Sequence, residues 1–312
     1  MRYLKDLREG DMLSETYFCK SKQALQTKAG KNYYSLILQD KTGTADGKIW
    51  DLGVGIDHFE AMDYIRVDAQ IVSFQGALQM NIRRVHRCHE GEYDPKEYMP
   101  STDKDIKVLY QELTGYIKSM KNEYLRTLAE RYFIEDKTAM KFFANHSAAK
   151  AVHHAFIGGL LEHTVSVTRL CDYIAKNYPI INRDLLLTAA MFHDVGKVQE
   201  LSKFPENDYT DAGQLLGHIY IGAEMLSKMI DDIPKFPEKL KNELLHCILA
   251  HHGELEYGSP KKPSLAEALA LSMANNLDAK LETMTELLQG TQEKGWLGFQ
   301  KLFDANVRKT SE

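Results

Sequence analysis

Little in this chain marks it as secreted, membrane-bound or broadly basic. Its four cysteines, Cys19, Cys88, Cys171 and Cys247, are scattered and form no Cys-x-x-Cys pair. That speaks against a disulfide framework or a thiolate zinc site and fits reduced thiols in a cytosolic protein. No run of about 18 apolar residues exists, so nothing is expected to span a membrane. The opening Met1-Arg-Tyr-Leu-Lys-Asp6 is charged and has no apolar stretch, which predicts no secretory signal and a cytoplasmic location. An excess of positive charge is also missing: 39 Lys and Arg stand against 44 Asp and Glu, a net charge of -5. No global field therefore draws in a polyanion. The deficit is local, since residues 1–92 carry 13 basic and 13 acidic side chains and the remainder 26 and 31. Carboxylates that hold cations would add to such a deficit.

At roughly 100–200 residues per domain, 312 residues suggest two domains, and the pattern changes character accordingly. Leu13–Lys20, Tyr33–Gln39, Lys48–Asp51, Tyr64–Phe74 and Leu78–Val85 read as strands, rich in Tyr, Ile, Val and Leu. They are separated by turn chemistry at Lys28-Ala-Gly30, Asp40-Lys-Thr-Gly43 and Asp46-Gly47. Five short strands predict a small all-β barrel over residues 1–90, and an OB-fold is the commonest five-stranded barrel that binds extended polymers. Residues 91–105 are polar, with Pro95 and Pro100, and read as a linker. Ser101, Asp103 and Asp105 supply a helix start. Residues 106–312 read as all-α, with i, i+3, i+4 apolar spacing in Ile106–Phe133, Ile157–Asn177, Arg183–Lys197, Leu215–Ile230, Glu238–His252 and Ser264–Leu288.

Histidine is unevenly placed: 9 of 12 lie between His146 and His252. His163 shares a helix face with Leu160 and Val167. His193-Asp194 ends a helix whose residues 185–192 are apolar nearly all round, so that helix should be buried. An ionised Asp there costs several kcal/mol unless it is paired or bound to a cation. His218 lies on a face with Leu215, Ile221 and Met225. His251 and His252 follow the stripe of Leu244, Leu245, Ile248 and Leu249, and Asp278 sits with Leu271, Ala274 and Leu281. A single inward histidine is more often a satisfied core residue. The ordered set, each member on an inward stripe, instead predicts imidazoles and carboxylates converging as ligands of a divalent metal. Two metals about 3.5–4 Å apart would activate a bridging water and hold a phosphate.

That ordered set resembles the HD superfamily of metal-dependent phosphohydrolases. The matching stretches are Gly159-Leu-Leu-Glu-His163, Met191-Phe-His-Asp-Val-Gly-Lys197, Gly217-His218-Ile219, Leu249-Ala-His-His-Gly253 and Asn276-Leu-Asp278. The resemblance implies core ligands His163, His193, Asp194 and Asp278, further ligands His218 and His251, and Asp194 bridging two ions. His252 could exchange with His251, and Lys197 would reach a substrate phosphate. Almost the whole chain resembles the YhaM family of bacterial 3′-to-5′ exoribonucleases. The marks are Asp40-Lys-Thr-Gly43 leading to Lys48-Ile-Trp-Asp51, His153-His-Ala-Phe-Ile-Gly-Gly-Leu-Leu-Glu-His163 and Gly213-Gln-Leu-Leu-Gly-His-Ile219. This second resemblance implies an OB-fold, two divalent ions (manganese first, with iron, cobalt or magnesium as alternatives) and release of 5′-mononucleotides from single-stranded RNA. Single-stranded DNA is a further candidate substrate. The residues by themselves lead only as far as a dinuclear phosphohydrolase with a strand-binding domain.

On the barrel, stacking platforms for bases would come from Tyr33, Tyr34, Trp50 and Phe74, and phosphate contacts from Lys31, Lys48, Arg83, Arg84 and Arg87. Strand alternation puts Tyr33 and Tyr34 on opposite faces, so only one should be available. His154 and His252 are candidate proton donors to the leaving oxygen. Competing readings are a phosphohydrolase of small nucleotides, a binding protein with a relic metal site, and a di-iron oxygenase. The strand-binding barrel argues against the first and the intact ligand set against the second. No substrate feature supports the third. The composition is compatible with a homo-oligomer.

Overall fold

Alternating apolar residues in the first ninety positions close into a barrel. In the computed structural model, residues 1–74, 77–99, 101–150, 156–289 and 295–311 are described. The barrel strands are β1 (Met12–Gln26), β2 (Asn32–Asp40), β3 (Gly43–Ile49), β4 (Tyr64–Phe74) and β5 (Ala77–Arg87). They run in the order β1-β2-β3-β5-β4 and close by pairing β1 with β4. Only β3 and β5 pair in parallel. This is a five-stranded closed barrel of the OB type. β1 serves two neighbours, pairing through Met12–Phe18 with β4 and through Phe18–Gln26 with β2. A register shift between Cys19 and Ser21 marks where it bends. Tyr17, Leu36, Leu38, Ile65, Val67 and Ile82 are among the side chains that fill the interior.

Two local expectations change. Asp46-Gly47 is not a turn but lies inside β3. Gly47 faces the interior, where a Cβ would come within 2.9 Å of Ile82 Cδ1. The glycine is there for close packing, so the strand expected at Lys48–Asp51 runs from Gly43 to Ile49 instead. Much of the stretch that reads as a linker also packs with the barrel. Tyr93 stacks on Tyr64 at 3.7 Å, and Gln39 Nε2 donates to the Tyr98 carbonyl at 3.1 Å. The chain accordingly divides into two units, Met1–Asp103 with Lys203–Asn207, and Lys104–Ser202 with Asp208–Glu312.

The second unit is predominantly helical. Asp105 caps α1 (Ile106–Ser119) by accepting from the Lys107 amide at 2.7 Å. The helix expected to run from Ile106 to Phe133 breaks instead. Asn122 accepts from the amides of Tyr124 and Leu125 and starts α2 (Glu123–Glu130), while the Asp184 carboxylate accepts from the amides of Lys121 and Asn122 at 2.7 Å each. Side-chain acceptors, one of them distant in sequence, replace the carbonyls a continuous helix would use. A π-helical stretch (Arg131–Glu135) and α3 (Lys137–Ala144) follow. Then come α4 (Gly159–Asn177), α5 (Arg183–Phe192), α6 (Lys197–Glu200), α7 (Asp211–Asp231), α8 (Glu238–Leu249) and α9 (Ala266–Gln289). A hairpin of β6 (Trp296–Gln300) and β7 (Ala305–Arg308) ends the described chain, a departure from the all-α expectation. Strands of five and four residues are too short for their alternation to stand out.

Helix α5 is the central element: every residue from Leu185 to Phe192 is buried, and it packs against α4, α8 and α9. No helix among the described residues is long and apolar enough to cross a membrane. Phe192, which immediately precedes His193, sits in a ring cluster with Phe133 at 4.9 Å, and Phe133 in turn meets Phe143 at 5.4 Å. Replacing Phe133 by Ala leaves a hole beneath the end of α5 and should destabilise the helical unit by about 3–5 kcal/mol. A urea midpoint unchanged from wild type would contradict this.

Candidate metal centre

Four elements of the helical unit each deliver polar side chains to one place. His163 projects from the first turns of α4. His193 and Asp194 follow the last turn of α5. His218 sits in α7, and His251 and His252 in the turn after α8. His163, His193, Asp194 and His251 are buried, whereas His218 and His252 are half-buried.

The side chains form two groups. His163, His193 and Asp194 make one and His218, His251 and His252 the other, with the ligand atoms of each group within 4.8 Å of one another. Asp194 stands between them. Its Oδ2 is 3.4 Å from His163 Nε2 and 3.3 Å from His193 Nε2, and its Oδ1 is 3.5 Å from His218 Nε2 and 3.7 Å from His251 Nε2. One carboxylate thus offers an oxygen to each group. Lys197 Nζ lies 2.7 Å from Asp194 Oδ2, one helical turn further along the chain.

All five imidazoles are oriented the same way. The Nδ1 of His193 faces the Ala190 carbonyl at 2.8 Å, that of His251 the Ile248 carbonyl at 2.6 Å, and that of His252 the Tyr257 carbonyl at 2.7 Å. For His163 the acceptor is Asp278 at 2.7 Å, and for His218 it is Glu200 at 3.0 Å. A carbonyl or carboxylate can only accept, so each Nδ1 donates its proton, and in the neutral ring each Nε2 presents a lone pair inward. Outer partners of this kind fix the tautomer and aim of metal-binding histidines.

Several inward atoms make no hydrogen bond, although the Lys197 ammonium stands beside one Asp194 oxygen. Both oxygens of Asp194 and the Nε2 atoms of His218 and His251 are buried without a hydrogen bond. His163 Nε2 and His193 Nε2 face each other at 3.1 Å. Orphaned acceptors packed this tightly repel unless positive charge stands among them, and imidazole and carboxylate donors suit divalent first-row ions. The residues therefore fit two divalent-metal sites. Burial would push the Asp194 carboxyl up, but Lys197 and His193 hold it well below the usual carboxylate range. Burial, with His252 and His193 beside it, holds His251 well below the ordinary imidazole value, and burial with His218 lowers His252. Neutral imidazole is the form that binds metal.

Several placements add to the sequence expectations. His251 and His252 both belong to the second group. Asp278 faces the far side of His163, and its other oxygen accepts from Ser166 Oγ, so it stands outside both groups. His154 lies outside the described residues. Glu200 and Ser166 join the site as outer partners. Their partners His218 and Asp278 are 18 and 112 residues away, and helical spacing carries no signal for such pairs. Burial would raise the Glu200 carboxyl, yet the hydrogen bonds from His218 lower it.

Two glycines of the expected motifs have mechanical roles. Gly217 has φ 73 and ψ 156, which kinks α7 immediately before His218. The Glu200 carboxylate takes the His218 amide at 2.9 Å as well as its ring nitrogen. A Cβ on Gly196 would lie 2.1 Å from the His218 carbonyl oxygen and 2.6 Å from the Gly222 nitrogen. Backbone therefore packs on backbone between the turn bearing Asp194 and the helix bearing His218. Gly196→Ala must push these apart and should lower bound metal from two ions toward one. Metal analysis of purified protein reads this directly, and full retention of two ions would refute it.

The barrel carries the remaining expected residues. Tyr33 and Trp50 stack at 4.6 Å, and Trp50 is 41% exposed. Tyr34 turns the other way, meeting Phe59 edge-on at 6.3 Å, as alternation requires. Phe74 is exposed at the end of β4. Lys48 Nζ is held 2.7 Å from both Asp46 and Ser35, Lys31 pairs with Asp51 at 3.6 Å, and Arg87 pairs with Asp63 at 2.9 Å. Adjacent strand residues normally face opposite ways. The register skips from Asp68–Arg84 to Ala69–Ile82, however, which makes Arg83 an extra residue and leaves both Arg83 and Arg84 exposed.

Comparison with known proteins agrees with this architecture. The HD domain family matches residues 160–280, the stretch that holds every group of the centre. A 3′-5′ exoribonuclease YhaM of Geobacillus sp. (strain WCH70) is 36% identical over 262 residues, 83% of this chain and 80% of that protein. One from Listeria monocytogenes serotype 4b (strain CLIP80459) is 33% identical over 291 residues, 93% of this chain and 92% of that protein. With a closed β-barrel preceding a helical unit whose imidazoles and carboxylates converge in two groups, and with this likeness along nearly its full length, the chain belongs to the YhaM family.

Proposed function

We propose that the protein hydrolyses phosphodiester bonds of single-stranded RNA from the 3′ end, releasing 5′-mononucleotides in the cytoplasm, and that it accepts single-stranded DNA as a secondary substrate. The observation that carries this is Asp194, which offers one oxygen to each of two histidine groups. Its relatives named 3′-5′ exoribonuclease supply the direction of cutting.

In this reading His163, His193 and Asp194 would hold one cation and His218, His251 and His252, with Asp194, a second, with manganese as the metal. Asp278 supports the first cation through His163, and Glu200 the second through His218. When bound, the two ions supply an activated water at neutral pH and neutralise phosphoryl charge. The chain itself provides the rest. Lys197 lends positive charge at the edge of Asp194, where a phosphoryl oxygen is to be stabilised. Water oxygen bonds to phosphorus, the bond from phosphorus to the 3′ oxygen breaks, and that oxygen leaves with a proton. His252 has Nδ1 committed to the Tyr257 carbonyl and Nε2 turned to its group. With His252 taken as a ligand, the proton is assigned to His154 or to water. Residues 1–90 act as the strand-binding module, with Tyr33, Trp50 and Phe74 as stacking surfaces and Arg83 and Arg84 on phosphates. Lys48 is held by Asp46 and contributes less.

Incubating manganese-loaded protein with a 5′-labelled oligoribonucleotide should give a ladder that shortens from the 3′ end, and the His193→Ala and Asp194→Ala variants should lose at least about a hundredfold in rate. Cleavage only of cyclic dinucleotides or nucleoside polyphosphates would replace this reading with that of a small-nucleotide phosphohydrolase. Base stacking contributes about 1–3 kcal/mol per base, so Trp50→Ala should weaken RNA binding about fivefold to a hundredfold with bound metal unchanged. Equal affinity in a filter-binding titration would remove Trp50 from the interface.

A further inference from the structure

The two metal groups are not equally accessible. The side chains of His163, His193, Asp194 and His251 are 0–4% exposed, whereas His218 is 12% and Lys197 17% exposed. His252 is half-buried and lies 5.1 Å from His218, ring to ring. A substrate must approach from the side on which His218, His252 and Lys197 meet solvent.

An exposed aromatic is tied by its backbone to one of these residues, His252. Residues Leu255–Tyr257 form a single 3-10 turn just after His252. The turn is clamped at several points. His252 Nδ1 donates to the Tyr257 carbonyl at 2.7 Å, Tyr257 N to the Glu254 carbonyl at 3.1 Å, and buried Ser259 Oγ to the Leu249 carbonyl at 2.9 Å. Gly258, at φ 84, closes it. The backbone of Tyr257 is thus fixed one hydrogen bond from an imidazole of the metal group, yet its side chain is 65% exposed and makes no ring contact among the described residues. Leu255 beside it is 57% exposed. A hydrogen-bonded backbone anchor beneath an exposed phenol ring is what a stacking platform needs: the ring is carried on a fixed backbone with its face open.

We propose that Tyr257 stacks on the base of the 3′-terminal nucleotide while that nucleotide's 5′ phosphate lies in the metal centre. The proposal rests on the exoribonuclease reading and deepens it by making Tyr257 a positioning residue for the nucleotide about to be released. The assignment distinguishes it from Trp50, whose stacking surface is on the barrel. Because the anchor to His252 is a backbone carbonyl, it survives any change of the Tyr257 side chain. A side-chain variant therefore tests stacking without disturbing the imidazole.

The test compares wild type, Tyr257→Ala and Tyr257→Phe, each assayed for metal content and for cleavage of two oligoribonucleotides, one ordinary and one with an abasic 3′-terminal nucleotide. Tyr257→Ala should raise KM for the ordinary RNA about tenfold, the loss of one stacked base. Tyr257→Phe should restore it, metal content should be the same in all three, and the penalty should vanish when the terminal base is missing. An unchanged KM in Tyr257→Ala overturns the proposal. So does an equal loss on both RNAs, which would mean the residue is merely structural. Wild-type protein inert on both RNAs overturns the exoribonuclease reading itself, a result separate from the ratio between variants.

Discussion

A single buried carboxylate organises the helical unit. Asp194 is 2% exposed and sits among five imidazoles and one ammonium. Leaving an ionised carboxylate in such a place costs several kcal/mol without compensating charge. Lys197 supplies part of that charge, and divalent cations would supply the rest on two sides, where one oxygen faces His163 and His193 and the other His218 and His251. Everything nearby follows from keeping those two directions open. The end of α5 must be dry and rigid, the turn bearing Asp194 must touch α7 without side chains between, and each histidine must be locked from behind.

The locking explains why the outer partners are so mixed. Three histidines use carbonyls near their own position in the chain, released where α5 or α8 ends or where a 3-10 turn doubles back. His163 and His218 lie within helices, where backbone carbonyls are already engaged, and they take carboxylates from elsewhere. Asp278 and Glu200 therefore do for the mid-helix histidines what free carbonyls do for those at helix ends. The kink at Gly217 belongs to the same scheme, because it releases the His218 amide to the carboxylate that also holds its ring.

The barrel obeys a different constraint. Its interior is so tight that Gly47 has no room for a Cβ beside Ile82, so its charged and open aromatic side chains lie on the outside. A single extra residue in β5 converts an alternating pair into two outward arginines, and Trp50, stacked on Tyr33, stays exposed. A neutral domain thereby acquires local basic and aromatic surface without any change in its overall charge.

Periodicity and composition alone determined much of this. The five strands, the buried run at Leu185–Phe192, and the inward faces bearing His163, His193, Asp194 and His251 are legible, because burial imposes repeats of 2 and 3.6 residues on a sequence; the stripes expected beside His218 and Asp278 hold only in part, since Ile221, Leu271 and Ala274 are buried but Leu215 and Leu281 are exposed. A repeat tells which face a residue occupies and nothing about which of its atoms points where. The tertiary structure therefore decided that Nε2 faces inward in all five histidines, that His251 and His252 share one group, and that Asp278 stands behind His163. It also brought in Glu200 and Ser166, split the helix expected from Ile106 to Phe133, and turned Arg83 outward beside Arg84. Each of these depends on a hydrogen bond or a register set by a distant part of the chain, and such partners are chosen only when the elements pack.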